Sequence, residues 1–197
     1  MDGLSPTTLR LPASPFQGEA FARDGRQHTL KVPIGCVGVG VHSGRRVSLR
    51  LCPAAPDTGI VFRRTDLDGT EVDGAGPQVC DIPARFDVVS DTRLCTVLSD
   101  PADPQRSVGT VEHLMAALAG AGIDNARIEI DGPELPILDG SAAPFLFLID
   151  CAGVAAQPAR RGRIEVLRPI RVSDGDSFIE LLPEPGLDTL EMSMSID

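Results

Sequence analysis

Tryptophan and tyrosine are both absent from the 197 residues, and seven phenylalanines supply all the aromatic surface. That lack removes the usual anchors of protein interfaces and the stacking platforms of single-strand nucleic-acid binders. Basic charge is scarce as well: 18 Lys and Arg stand against 28 Asp and Glu, a net charge of -10. So acidic a chain lacks the basic footprint of sequence-independent nucleic-acid binding, and it would not hold anionic lipid by charge alone. No apolar run approaches the roughly 18 to 20 residues of a membrane span. The N-terminus shows no basic segment followed by an apolar core, so no export signal is expected. CxxC pairs are missing too. The five cysteines, Cys36, Cys52, Cys80, Cys95 and Cys151, are odd in number and scattered. They suggest neither a disulfide framework nor a cysteine zinc site, but reduced thiols packed as small apolar side chains in a cytoplasmic protein.

What is present is enough for a core. Hydrophobic residues make up 42% of the chain, sufficient for one domain or slightly more. Residues 1–26 mix Pro, Gly, Ser and charge without periodicity and read as a flexible tail. From Thr29 onward the pattern is of strands. "TLKVPIGCVGVGVH" is rich in Val and Gly, and "RRVSLRLCPA" alternates Val47, Leu49 and Leu51 against Ser48, Arg50 and Cys52, as a half-buried strand does. "GIVFRR", "FDVVSD" and "RLCTVLSD" add short strands, with a turn-rich stretch after the first.

The first helix is expected over 108–120. Thr110 is a plausible N-cap, Gly120 and Gly122 stop the run, and Val111, Leu114, Met115 and Leu118 share one face. "ARIEIDG" returns as a strand. The proline-bracketed "PELPILDGSAAP" then leads into a second helix over 144–152, opened by Pro144 and closed by Gly153. "AAQPARRGR" reads as a polar connector. Three further strands follow around turns at Asp174-Gly175 and Pro185-Gly186. In the last of them Leu190, Met192, Met194 and Ile196 share a face, and three such strands need a partner layer. The expected architecture is α+β, a two-layer sandwich of a mostly antiparallel sheet packed against helices.

Glu112 and His113 stand side by side at the start of the first helix, and His113 lies well away from its apolar stripe. Chemistry could use the pair, since neutral imidazole is a common zinc ligand and an adjacent carboxylate can deprotonate bound water. Two solvated side chains would look the same, HExxH spacing is absent, and one histidine cannot hold a metal. His42 in "GVGVHSG" suits a turn or a site equally. His28 at the tail boundary is given no role. Asp139 in "ILDGSAAPF" fits a turn cap better than an outer contact to a metal ligand.

Taken together, "GVGVHSG", "PDTGIVFRRTDL", "SDTRLCTVL", "VGTVEHLMAALAGAGIDNARIEIDGPELPILDGSAAPF" and "RVSDGDSFIEL" closely resemble the UDP-3-O-acyl-N-acetylglucosamine deacetylase (LpxC) family, the zinc amidases of lipid A synthesis in Gram-negative bacteria. The resemblance runs from about residue 27 to the last residue. It implies two domains, each a β-sheet packed on helices, with the active site between them. It makes His113 a Zn²⁺ ligand and Glu112 the general base, places Leu94 and Cys95 near the sugar and acyl region of the substrate, and puts His42 near the site. Arg93 interrupts the family's "MLCT" pattern, so the substrate contact there departs from the family's.

The family's other zinc ligands, a His and an Asp in an HxxxD motif, belong to the second domain, together with a second catalytic histidine and an oxyanion-stabilising threonine. None is found before Asp197. The resemblance therefore implies a first deacetylase domain over 27–155, a linker over 156–163 and the opening strands of a second, truncated domain of the same type over 164–197. The family's function is hydrolysis of the N-acetyl group of UDP-3-O-(3-hydroxyacyl)-N-acetylglucosamine, releasing acetate, with the chain inactive alone. No nucleic acid and no membrane span are expected, contact with the inner membrane would be transient, and 164–197 would self-associate. The alternative is a non-catalytic module that binds sugar nucleotides or serves assembly.

Overall fold

The computed structural model describes residues 25–67, 79–184, 186 and 191–195. The chain divides into two compact units, one spanning Gly18–Arg161, the other holding Gly162–Asp197. In the first unit, strands β2 (Ile34–Val39), β3 (Arg46–Pro53), β4 (Ile60–Arg64), β5 (Asp81–Pro83) and β9 (Ala126–Ile130) form one sheet in the order β2-β3-β9-β4-β5. Only the β4–β9 pair is parallel. Period-two alternation decides its faces. Val47, Leu49 and Leu51 of β3 and Ala126, Ile128 and Ile130 of β9 are buried on one side, while Arg46, Ser48 and Arg50 meet water on the other. On that wet side Arg63 pairs with Asp81 at 2.6 Å and Arg50 with Glu129 at 3.4 Å, exposed pairs of about 0–1 kcal/mol each.

The apolar face is covered by α1 (Glu112–Gly120) and α2 (Ala143–Ala152). The helix-forming run "EHLMAALAG" buries Leu114, Ala117 and Leu118 at i, i+3, i+4 spacing, and α2 buries Phe145, Ile149 and Ala152. These join Leu49, Leu51, Phe62, Ile82, Ile128 and Ile130 in one core, where each large side chain contributes roughly 1.5–3 kcal/mol of burial. Gly122, at φ +69, closes α1: its N–H donates to Ala119 O and that of Ile123 to Leu118 O, a Schellman motif. Pro144 opens α2 and Gly153, at φ +70, ends it, both as expected. A second, three-stranded sheet is made of β6 (Val89–Asp91), β7 (Val97–Asp100) and β8 (Asp103–Val108).

The start of α1 and the stretch after α2 depart from the sequence reading. Thr110 does not cap α1: it adopts φ +57, Val111 takes the cap position without a side-chain bond, and the helix begins at Glu112 rather than 108. The stretch read as a linker over 156–163 is mostly strand. β10 (Val154–Arg160) pairs antiparallel with β1 (Arg26–Leu30), so Arg26 also belongs to the fold rather than to a tail, while residues 1–24 lie outside the described ones. A buried polar seam holds this pair. Asn125 Nδ2 donates to Gln27 Oε1 at 2.8 Å and to Gln157 Oε1 at 2.7 Å, its Oδ1 accepts from the Gly59 N–H, and the Thr29 hydroxyl donates to Asn125 O at 2.7 Å. Polar side chains enter a core when they are matched in this way.

The second unit contributes one antiparallel hairpin, β11 (Ile170–Asp174) and β12 (Ser177–Leu181), turned at Gly175 with φ +57. Residues 191–195 carry no strand, contrary to the sequence reading, and Met192 and Met194 are exposed. Leu190 and Ile196 lie outside the described residues.

Candidate functional site

The chain after β9 folds back across the sheet end and decides where the chemistry-bearing loops sit. Its backbone joins two neighbours. Gly109 donates to Pro133 O at 2.9 Å and accepts from the Leu135 N–H at 3.0 Å, and Ile137 N donates to Val39 O at 3.0 Å. Between these joints Glu134 turns inward, 5% exposed. Its Oε1 accepts from the Ser43 N–H and hydroxyl, both at 2.6 Å, and from the His42 N–H at 3.1 Å. Its Oε2 accepts from the Thr110 hydroxyl at 3.2 Å. Burial alone would raise the Glu134 pKa, but the bonds from Ser43, His42 and Thr110 hold it below the usual glutamate value. Gly40, two residues before His42, leaves room for this carboxylate. A Cβ there would overlap Glu134 Oε1.

Thr110 is buried and left-handed, a conformation that costs a β-branched residue on the order of 1–3 kcal/mol and persists only where its surroundings enforce it. It delivers the chain to Val111 and then to Glu112 and His113, half-buried at the start of α1. Glu112 Oε2 accepts from the Thr96 N–H at 3.0 Å. That bond ties the helix start to the loop 92–96.

Beside these elements lies an open cleft of about 750 Å³, lined by His42, Ser43, Asp91, Arg93, Leu94, Cys95, Gly109 and Glu134 among others. The structure thus brings His42, Leu94 and Cys95 together on one wall system. Glu112 and His113 are not lining residues of this cleft; Thr96, next to Cys95, connects Glu112 to it. Leu94 offers an exposed apolar side chain and Cys95 a half-buried thiol. Arg93, the departure from the family pattern, is occupied by its neighbour. Its Nη2 and Nε reach Asp91 at 2.6 and 3.0 Å, and that guanidinium, together with the Arg93 backbone N–H, drives the Asp91 carboxyl far below its ordinary pKa. Asp139 accepts from the Ser141 N–H and hydroxyl, as a turn residue does. Cys36, Cys52, Cys95 and Cys151 carry free thiols, and burial raises the pKa of Cys36 and Cys52.

The residues sequence reasoning missed are Glu134 and Thr110. The signal for the first was a carboxylate set between Pro133 and Pro136 in an otherwise apolar "PELPIL"; for the second there was none, since a threonine before a helix reads as a cap.

As a metal centre the described residues are incomplete. Among them no three His, Cys, Asp or Glu side chains gather closely enough to hold an ion, whereas catalytic zinc is usually held by three protein ligands. Glu112 and His113 alone do not fit Zn²⁺. Also among the described residues, no helix is long and apolar enough to cross a membrane.

Fold and site together define an α+β domain that sets an adjacent carboxylate and imidazole at a helix start near an open cleft. Residues 27–197 match the family model described as LpxC, UDP-3-O-acyl N-acetylglycosamine deacetylase, and the chain belongs to that family. It is 50% identical over 161 residues to the UDP-3-O-acyl-N-acetylglucosamine deacetylase of Idiomarina loihiensis, covering 82% of this chain and 49% of the relative. The deacetylase of the same name from Legionella pneumophila strain Corby is 48% identical over 161 residues, with the same coverage. That of Acidithiobacillus ferrooxidans is 47% identical over 172 residues, 87% of this chain and 52% of the relative. The chain spans about half the length of the curated relatives it matches.

Proposed function

We propose that this chain supplies the first half of a zinc-dependent amide hydrolase that removes the N-acetyl group of UDP-3-O-(3-hydroxyacyl)-N-acetylglucosamine in lipid A biosynthesis. The observation that carries the reading is the bond from the Thr96 N–H to Glu112 Oε2. In support of this reading, that bond brings the Glu112 carboxylate to the residue next to Cys95 in the cleft wall, in a chain similar to proteins named for this deacetylation. With Oε2 engaged, Glu112 Oε1 takes the proton from the attacking water, as a general base does. His113, the next residue, offers one imidazole toward Zn²⁺, and the remaining donors are assigned to the further length that the relatives possess. Leu94 and Cys95 provide the apolar wall for the sugar and acyl region, and His42 stands at the opposite loop. The reaction belongs in the cytoplasm, with transient contact at the inner membrane through the acyl chain of the substrate. The exposed apolar side chains of β11 and β12 lead the isolated chain to self-associate.

The test is deacetylation by the full-length protein. Glu112→Ala should lower kcat by about 10² to 10⁴, the usual worth of a positioned general base. The same assay addresses a non-catalytic sugar-nucleotide-binding or assembly module, a reading that the lack of three grouped metal donors among the described residues favours. Such a module would bind the substrate but show no acetate release that depends on Glu112.

A further inference from the structure

Glu134 has no place in the proton transfer proposed above, yet it is buried and accepts from four donors on two separate loops. On one side are the His42 and Ser43 backbone N–H groups and the Ser43 hydroxyl. On the other is the hydroxyl of Thr110, two residues before Glu112. The backbone joints on either side of Glu134, to Gly109 and to Val39, bring both loops to the same short stretch. Thr110 at φ +57 sets the direction in which the chain enters α1, so whatever holds Thr110 also aims Glu112 and His113. Glu112 is in turn held by the Thr96 N–H. A line of contacts, Ser43–Glu134–Thr110, then Glu112–Thr96, runs from one wall of the cleft to the other.

We propose that Glu134 is a positioning residue of the catalytic centre, its carboxylate tying the His42 loop to Thr110 and so setting where α1 presents Glu112 and His113. The inference rests on the reading of those two residues as base and ligand. Direct chemistry by Glu134 is disfavoured by its own bonds: the oxygens are committed to Ser43, His42 and Thr110, and Gly40 packs against the carboxylate. Its action is geometric, and misplacement of a reacting group by about 1 Å is enough to cost 10²-fold in rate.

Two readouts test it. In the 197-residue chain, hydrogen exchange at the Ser43 and Thr96 amides reports the tie; in the full-length enzyme, kcat and KM report its consequence. Thr110→Val removes one hydroxyl at nearly constant shape. Exchange at both amides should quicken about 10-fold, and kcat should fall about 10- to 100-fold with KM within about 3-fold, the loss usual for partners that orient a catalytic group. Thr110→Ser keeps the hydroxyl and should restore both readouts. Glu134→Gln should match Thr110→Val, and the double variant should be no worse than either alone, because the two residues act through one contact. Should Glu134→Gln fail to fold, the Thr110 pair decides. Unchanged exchange and kcat in Thr110→Val, or a Thr110→Ser as impaired as Thr110→Val, would overturn the proposal. Glu112→Gln in the same enzyme separates the two readings: full turnover there rejects the catalytic assignment, while the exchange arm still judges the tie.

Discussion

β3 and the β11–β12 hairpin carry the same alternating pattern and meet opposite environments. In β3, Val47, Leu49 and Leu51 are at most 2% exposed. In the hairpin, Ile170, Val172, Ile179 and Leu181 share a face through the pairs Ile170–Leu181 and Val172–Ile179, yet they are 46–75% exposed. Alternation decides that a segment is a strand and which side chains share a face. It does not supply the layer that buries them. The first unit provides that layer with α1 and α2; within the hairpin, the added contact is Arg171 over the Phe178 ring at 3.7 Å, worth roughly 0.5–1 kcal/mol at an exposed site.

The contrast can be broken first by truncation. Leu114 is fully buried under the sheet, and Leu114→Ala should cost about 2–5 kcal/mol in denaturant unfolding. Ile179→Ala, 75% exposed, should stay within about 0.5 kcal/mol. Equal losses would show that the hairpin face is covered in solution.

A smaller effect is expected at the loop that carries His42. Gly40→Ala would drive a Cβ into the Glu134 carboxylate. Overpacking of this kind costs about 1–3 kcal/mol, visible as a lowered Tm. An unchanged Tm would show that Glu134 is free to move aside.

The smallest effect is pH-dependent and confined to the same place. Because the Glu134 pKa lies below its ordinary value, its bonds stabilise the fold in full above about pH 4.3, the unperturbed glutamate value. They are lost as pH falls through the lower, folded value. The Ser43 amide resonance should therefore hold steady down to about pH 4.3 and shift only below it. A midpoint above that value would contradict the arrangement.

Much of the scaffold was legible because it follows local rules. The period of two in β3 and β9, the apolar stripe of α1, and the Pro144 and Gly153 that bracket α2 all act within a few residues of one another. The β1–β10 pair was not legible, since its partners lie about 130 residues apart and its buried side chains include the polar Gln27, Thr29 and Gln157. Those residues look solvated until Asn125 arrives to match their hydrogen bonds. The site divides in the same way. Adjacent Glu112 and His113 stand out in sequence, and the "LCT" stretch stands out by resemblance. The role of Glu134 depends on three segments meeting, and a left-handed Thr110 has no signature apart from that meeting.

In the proposed enzyme His113 is one ligand of a zinc site and Glu112 the base beside it, the other donors being assigned outside the described residues. The most direct test of this assignment is calorimetric titration of the 197-residue chain with Zn²⁺. Weak uptake without a defined stoichiometry, little altered by His113→Ala, is expected, because a single imidazole gives no chelation where catalytic zinc takes three protein ligands. Tight one-to-one binding that is abolished by His113→Ala would contradict the assignment.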